Sequence, residues 1–311
     1  MNHPRALKRG DRVAIVSPSG PITPALLEQG LFRLRSWGLK PVVADAVYAR
    51  RPRADYLAGD DASRVEALHE AFLDPTVAAI ICSRGGYGAM RILPYINPEI
   101  VVSNPKLVVG FSDITALHTY FAGLLDLVTL HGPVVKSLAL HEQDGHASLE
   151  HLERALFGQR ACPLEIDGLR SVKPGRGRGR LLGGNLSVLT SMLATDYCPD
   201  LKGAVLLLEE ICEVDYRLDR LFTTLRLATK AHGLAALILG DFTECSGTYV
   251  NDADLEAFVD ALGAEFDCPV VANFPSGHGP RNLAVPMGVE VEVDADRGRV
   301  SFARDATHAP V

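Results

Sequence analysis

The chain offers three side chains suited to acyl-transfer chemistry: Ser112 at a turn, Glu209 at the end of an apolar run, and His278 in a Gly/Pro-rich loop. A hydroxyl attacks a carbonyl readily only when a base of near-neutral pKa takes its proton. That base in turn needs an acceptor to fix its tautomer. Ser112 follows Leu107-Val108-Val109-Gly110 and precedes a segment that reads as helix. Its hydroxyl is therefore expected at a strand's carboxyl end, beside the unpaired amides of a helix N-terminus. This is the layout of a G-x-S-x-G nucleophile elbow, with Ile114 in place of the second glycine. A serine that merely caps a helix gives the same local pattern.

Ten histidines compete for the part of base. His118 comes six residues after Ser112, which on a continuous helix turns it roughly 240° away. His131 shares the sheet edge with Ser112, but Gly132 and Pro133 suit a structural turn equally well. His278 stands between two glycines with prolines nearby, and a proline-stiffened loop can present a base. Glu209 closes the run Ala204-Val205-Leu206-Leu207-Leu208, where an uncompensated carboxylate is costly. Its partner can be an imidazole or a guanidinium from Arg217 or Arg220.

The elements that must position these residues alternate in the first half. Strands are expected at 12–17, 40–44, 77–82, 106–109 and 127–130, with helices between them and a polar, arginine-rich loop at 48–61. Continuous apolar strands alternating with helices imply a doubly wound parallel sheet covered on both faces, whose ligands sit at the strands' carboxyl ends. Ser17, Arg84 to Gly86, Ser112 and His131 all fall along that edge. The pattern weakens over 142–179 and ends in Gly175-Arg176-Gly177-Arg178-Gly179-Arg180, which reads as a flexible connection rather than a phosphate or RNA site. The expected organisation is a domain at 1–142, a linker at 143–178 and a second α/β domain at 179–311. In the latter, Leu181 to Leu186 opens a helix and the terminal strands 289–293 and 300–302 are antiparallel.

Composition limits the alternatives. A net charge of −7 argues against a nucleic-acid or anionic-membrane binder. The N-terminus lacks the apolar core of a secretory signal, and no run is long enough to span a bilayer. Six scattered cysteines without a C-x-x-C pair read as reduced thiols of a cytoplasmic protein rather than a zinc site.

Five segments in this order carry a resemblance: SRGGYGAMRILP at 83–94, VVGFSDITALH at 108–118, LLGGNLSVL at 181–189, LLLEEICEVDYRLDRLFTTL at 206–225 and FPSGHGPRNLAVPMG at 274–288. Together they resemble the LD-carboxypeptidase family of serine peptidases over nearly the whole chain. The resemblance implies a Ser112–His278–Glu209 triad at the domain junction. It also implies an oxyanion hole from the amide of Asp113 with that of Gly85 or Gly86. Ile114 is no departure, because the family's G-[FY]-S-D segment lacks the second glycine, whereas Ala194 stands where a glycine often precedes Thr195. The expected activity is hydrolysis of the L,D-bond before the terminal D-alanine of murein tetrapeptide, through an acyl-enzyme. No metal or cofactor is implied, and the protein is expected to be a cytoplasmic homodimer. Arg84, bordering the Gly-Gly turn, is the candidate for the substrate's terminal carboxylate.

Two other readings differ in what they require. A peptidase resembling those of microcin C immunity, which cleave peptidyl- or aminoacyl-adenylates, needs an aromatic platform for the nucleobase. The sole tryptophan, Trp37, lies in an early helix far from the site, which counts against this reading without excluding tyrosine. A non-catalytic binder of a small anion, using the turns at 17–20 and 85–86, has no use for all three of Ser112, Glu209 and His278.

Overall fold

The computed structural model describes residues 2–140, 147–158, 165–247, 251–303 and 307. Cys162 and parts of the expected linker (143–146 and 159–164) lie outside the described residues. Five strands are followed by or interleaved with helices in the first half: β1 (Arg12–Val16), α1 (Pro24–Ser36), β2 (Lys40–Val43), α2 (Asp61–Leu73), β3 (Val77–Cys82), α3 (Ala89–Ile92), α4 (Pro98–Ser103), β4 (Leu107–Gly110), α5 (Thr115–Leu124), β5 (Thr129–His131) and α6 (Val135–Leu140). These strands pair in parallel in the order β5-β4-β3-β1-β2. The runs VAAIIC and LVVG are apolar without alternation because both faces of the sheet are covered. In α1, Leu27, Gly30, Leu31 and Leu34 form the buried stripe that a 3.6-residue period demands. Gly30 belongs to that stripe because α6 packs onto it: a Cβ there would lie 2.4 Å from the Val135 carbonyl oxygen.

The second half continues through α7 (Ala147–Leu156), β6 (Glu165–Ile166), β7 (Arg170–Lys173), β8 (Arg176–Asn185), α8 (Leu186–Met192), β9 (Val205–Ile211), α9 (Asp215–Leu227), β10 (Ala236–Thr243), α10 (Asp252–Ala264), β11 (Val270–Ala272), β12 (Val285–Met287), β13 (Glu290–Asp294) and β14 (Arg299–Phe302). Its sheet runs β6-β14-β13-β8-β9-β10-β11-β7, with β8 to β11 parallel and the outer strands antiparallel. The terminal strands are thus antiparallel, as the alternation suggests.

Two features depart from the sequence-based expectation. The Arg/Gly run is no flexible connection: it is the first half of the ten-residue β8 and pairs with β13. Its glycines face neighbouring backbone so closely that a Cβ would sit 1.9 Å from the Ala235 oxygen at Gly177 and 2.0 Å from the Gly203 oxygen at Gly179. The arginines project the other way, and Arg176 and Arg178 pair with Asp294 and Glu290. Strand geometry also extends through Asn185, so the helix begins at Leu186 rather than at Leu181. The second departure is β12, which leaves the second half and adds antiparallel to β5 at the edge of the first sheet. The first sheet is therefore mixed, and the buried apolar side chains of both halves form one continuous core.

Candidate active site

Ser112 lies two residues beyond the end of β4, at the carboxyl edge of the first sheet, with a left-handed φ of 65°. Such a backbone costs a non-glycine residue about 1–3 kcal/mol and persists only where its surroundings fix it. Two glycines make room for it. A Cβ at Gly110 would lie 2.8 Å from Ile114, and one at Gly85 would lie 2.8 Å from Ser112 Cβ and 3.0 Å from its Oγ. The next residue is anchored deeply: the buried Asp113 carboxylate accepts from Ser19 Oγ at 2.5 Å and from the Ala89 amide at 2.8 Å. Burial raises its pKa, and these hydrogen bonds offset part of that rise. The Asp113 backbone is thereby held between the β1 loop and α3. The Gly85 oxygen accepts from the Gly20 amide at 3.2 Å, which fixes the Gly-Gly turn against the same loop.

Glu209 and His278 arrive from the second half. Glu209 sits in β9, opposite Asn185 of β8, and is fully buried. His278 Nδ1 meets Glu209 Oε2 at 2.6 Å. Neither guanidinium alternative takes Glu209: Arg217 pairs with Glu213, and Arg220 lies over the Tyr216 ring. The flanking glycines have a steric reason. A Cβ at Gly277, whose φ is 141°, would lie 2.9 Å from Glu209 Cβ, and one at Gly279 would lie 2.6 Å from the Asp241 carboxylate. Only a Gly-His-Gly loop can settle this closely on two acidic residues. Burial lowers the His278 pKa, but the hydrogen bond and charge of Glu209, with the charges of Glu210 and Asp241, outweigh it and leave the imidazole above its usual 6.5.

The serine and the imidazole face one cleft of about 490 Å³, which Gly85 and Gly86 also line. The Phe111 ring, next to Ser112, packs 4.9 Å from that of His278. Among the described residues no hydrogen bond joins Ser112 Oγ to His278, whose Nε2 remains uncommitted while Nδ1 is held by Glu209. Two cations border the cleft. Arg84 donates from Nη1 to the Pro21 oxygen at 3.1 Å, its Nε is buried with no partner among the described residues, and no carboxylate pairs with it there. Lys136 stands beside it, and burial together with the Arg84 charge lowers its pKa.

The remaining histidine candidates are occupied elsewhere. His118 is buried between Thr129 Oγ1 and the Gly110 oxygen, each at 2.8 Å. His131 is buried with Nδ1 3.3 Å from Ser276 Oγ, so it braces the loop of His278 from the first sheet. Two residues that sequence reading passes over belong to the site. The only signal Lys136 offers in the sequence is that it is a lone charge in the apolar stretch Gly132-Pro133-Val134-Val135-Lys136-Ser137-Leu138. Asp241 shows the signal that singles out Glu209, a carboxylate closing an apolar strand. Burial raises the Asp241 carboxyl to about 6, and its Oδ2 accepts from the Gly279 amide at 3.2 Å.

The cleft can support proton transfer between a hydroxyl and an imidazole oriented by a carboxylate, next to two cations. Residues 13–132 match the LD-carboxypeptidase N-terminal domain and residues 178–293 the LD-carboxypeptidase C-terminal domain. A Streptomyces coelicolor protein provisionally named a carboxypeptidase is 41% identical, covering 99% of this chain and 98% of its own. The murein tetrapeptide carboxypeptidase of Pseudomonas aeruginosa is 34% identical, covering 93% and 94%. Among solved structures, the microcin C7 self-immunity protein MccF in complex with aspartyl sulfamoyl adenosine shares the fold, with a TM-score of 0.87, 22% identity and coverage of 99% and 100%.

Proposed function

The chain belongs to the LD-carboxypeptidase family and is a serine-type carboxypeptidase, and on that premise we propose that it releases the terminal D-alanine of murein tetrapeptide through Ser112, His278 and Glu209. The observation that carries this reading is the 2.6 Å contact of His278 Nδ1 with the buried Glu209, over a cleft that Ser112 shares. That contact leaves Nε2 as the proton acceptor. As Ser112 Oγ bonds to the carbonyl carbon before the D-residue, its proton passes to Nε2 and the carbonyl electrons move onto oxygen. In this reading the amides of Asp113 and of Gly85 or Gly86 receive that oxyanion, a service worth about 100- to 1000-fold in rate per donor. Collapse breaks the C–N bond, the imidazolium gives its proton to the departing amine, and an acyl-Ser112 remains. Water, deprotonated by the same imidazole, then hydrolyses the ester.

Arg84, with Lys136 beside it, supplies the positive charge for the terminal carboxylate. Arg84→Ala should raise KM for tetrapeptide more than it lowers kcat, and an unchanged KM would remove Arg84 from this role. A cytoplasmic homodimer acting in wall-peptide recycling is part of the same reading.

Purified protein and its Ser112→Ala variant, incubated with murein tetrapeptide and with an aminoacyl-adenylate analogue, provide the test. Mass spectrometry should show loss of one D-alanine from the tetrapeptide with the wild-type protein alone. Cleavage of the adenylate analogue in place of the tetrapeptide would move the assignment to the microcin-immunity type. Unimpaired tetrapeptide cleavage by Ser112→Ala would end it.

A further inference from the structure

Where β9 and β10 pass the site, β10 carries one residue more than its neighbour. Leu239 pairs with Leu208 and Phe242 with Glu210, so Gly240 and Asp241 together face Glu209. An extra residue of this kind re-aims the side chains around it, and such irregularities gather beside active sites. Here it sends a second carboxylate toward the loop of the base. The position of a Cβ at Gly277 lies 2.9 Å from Glu209 Cβ and 3.1 Å from Asp241 Cβ, so the two acids flank the loop from adjacent strands.

Glu209 takes the imidazole, and Asp241 takes the backbone on either side of it. The Asp241 amide donates to the Ser276 oxygen at 3.1 Å, and its Oδ2 accepts from the Gly279 amide at 3.2 Å. Before the base the loop has other holds: Asn282 Oδ1 accepts from the Gly277 amide at 3.4 Å, and His131 Nδ1 lies 3.3 Å from Ser276 Oγ. After it, among the described residues, the stretch 279–281 makes only the one hydrogen bond to Asp241. Glu209 faces that carboxylate from β9, and His278 and Arg281 face it from the loop. Across a cavity of about 250 Å³ stand Glu244 and Asp252, with Glu256 and Asp260 of α10 paired to Arg170. Burial raises the Asp241 pKa, and the Gly279 amide is the largest influence drawing it back down, so that bond favours the ionised acid. An ionised acceptor holds a backbone amide more strongly than a neutral one. We propose that Asp241 is a positioning residue of the reaction, which fixes the loop carrying His278 by holding Gly279 and so sets where Nε2 stands relative to Ser112. It acts through the loop backbone and its charge, since the imidazole Nδ1 belongs to Glu209. The role rests on the carboxypeptidase reading above and adds to it a residue outside the triad.

Wild-type protein, Asp241→Asn and Asp241→Ala provide the test, because asparagine keeps an acceptor for Gly279 without the charge and alanine keeps neither. With murein tetrapeptide, Asp241→Ala should lower kcat about 100-fold and leave KM within about twofold, the signature of a base displaced by about 1 Å. Asp241→Asn should restore kcat at high pH to within about threefold of wild type, while its pH–rate midpoint moves down because one negative charge near His278 is gone. An unchanged kcat in Asp241→Ala, a loss shared by KM, a plateau in Asp241→Asn as low as in Asp241→Ala, or an unmoved midpoint would each overturn the role. Should Asp241→Ala fail to melt cooperatively in urea, Asp241→Asn decides alone: the expected plateau and lowered midpoint support the role, and a larger loss overturns it. If the wild-type protein leaves tetrapeptide intact, the carboxypeptidase reading fails, and imidazole NMR decides the positioning. The proton between His278 Nδ1 and Glu209 should then exchange with water faster in Asp241→Ala than in the other two proteins, and equal exchange in all three overturns it.

Discussion

Glu209 holds the His278 ring in place and also keeps its proton affinity above the ordinary 6.5. A base works only when neutral, so kcat/KM should rise with pH through a midpoint above 6.5. Glu209→Gln removes the charge, so the midpoint should move down while the plateau falls by about 10⁴-fold through loss of the correct tautomer. A pH–rate profile of both proteins reads the two effects, and an unmoved midpoint would show that the carboxylate does not set it. The same pair affects stability with the opposite trend: its contribution is fully present below 6.5 and is lost as pH rises through the elevated folded value. Gly85 makes a second residue-scale case. The methyl of Gly85→Ala would press on Ser112 from 2.8 Å, so kcat should fall about 100-fold through a displaced hydroxyl, with cooperative melting retained. Ser112 and the Gly-His-Gly loop were legible in the sequence because turn chemistry is local. The choice among His118, His131 and His278 was not, since it depends on which strand end faces which loop, and only the resemblance made it. Lys136 and Asp241 acquire their meaning from Arg84 and Gly279, residues distant along the chain.

At the scale of elements, the first-half strands followed directly from apolar runs with turn residues at their ends. The first half of β8 did not, because glycine and arginine have little intrinsic preference for a strand and the tract reads as solvated chain. Packing overrides that preference: the glycine face has no room for side chains, and the arginine face meets the acids of β13. Gly179→Val should therefore cost about 2–4 kcal/mol, the penalty of forcing a side chain against fixed backbone. Urea unfolding measures it, and an unchanged midpoint would mean that this stretch is a flexible connection after all. β12 escaped notice for a different reason. Val-Pro-Met is short and contains a proline, which argues against a strand except at a sheet's edge, and the edge is where Pro286 lies.

For the whole molecule, the segment from Phe274 to Met287 joins the halves, carrying first His278 and then β12. Two neutral imidazoles grip it: His131 of the first half meets Ser276, and His151 of α7 accepts at Nδ1 from the Ala284 amide at 3.1 Å. Burial holds His131 well below 6.5 and His151 at about 4, the latter also repelled by Arg154. Below pH 6.5 the unfolded chain thus binds protons that the folded one refuses, so stability is full above 6.5 and declines as pH falls toward 4. Urea midpoints between pH 7 and 5 should show the decline, and His151→Gln, which keeps an acceptor but does not titrate, should make it shallower. An equal slope in both proteins would place the acid sensitivity elsewhere. The crossing of β12 also bears on attempts to take the molecule apart. A fragment ending before residue 142 would expose the bare hydrogen-bonding rim of β5, ready to recruit any extended peptide, its own copies included. Each separated half would gum up alone, and the pair would be rescued only by mixing, with the shared ribbon acting as the latch.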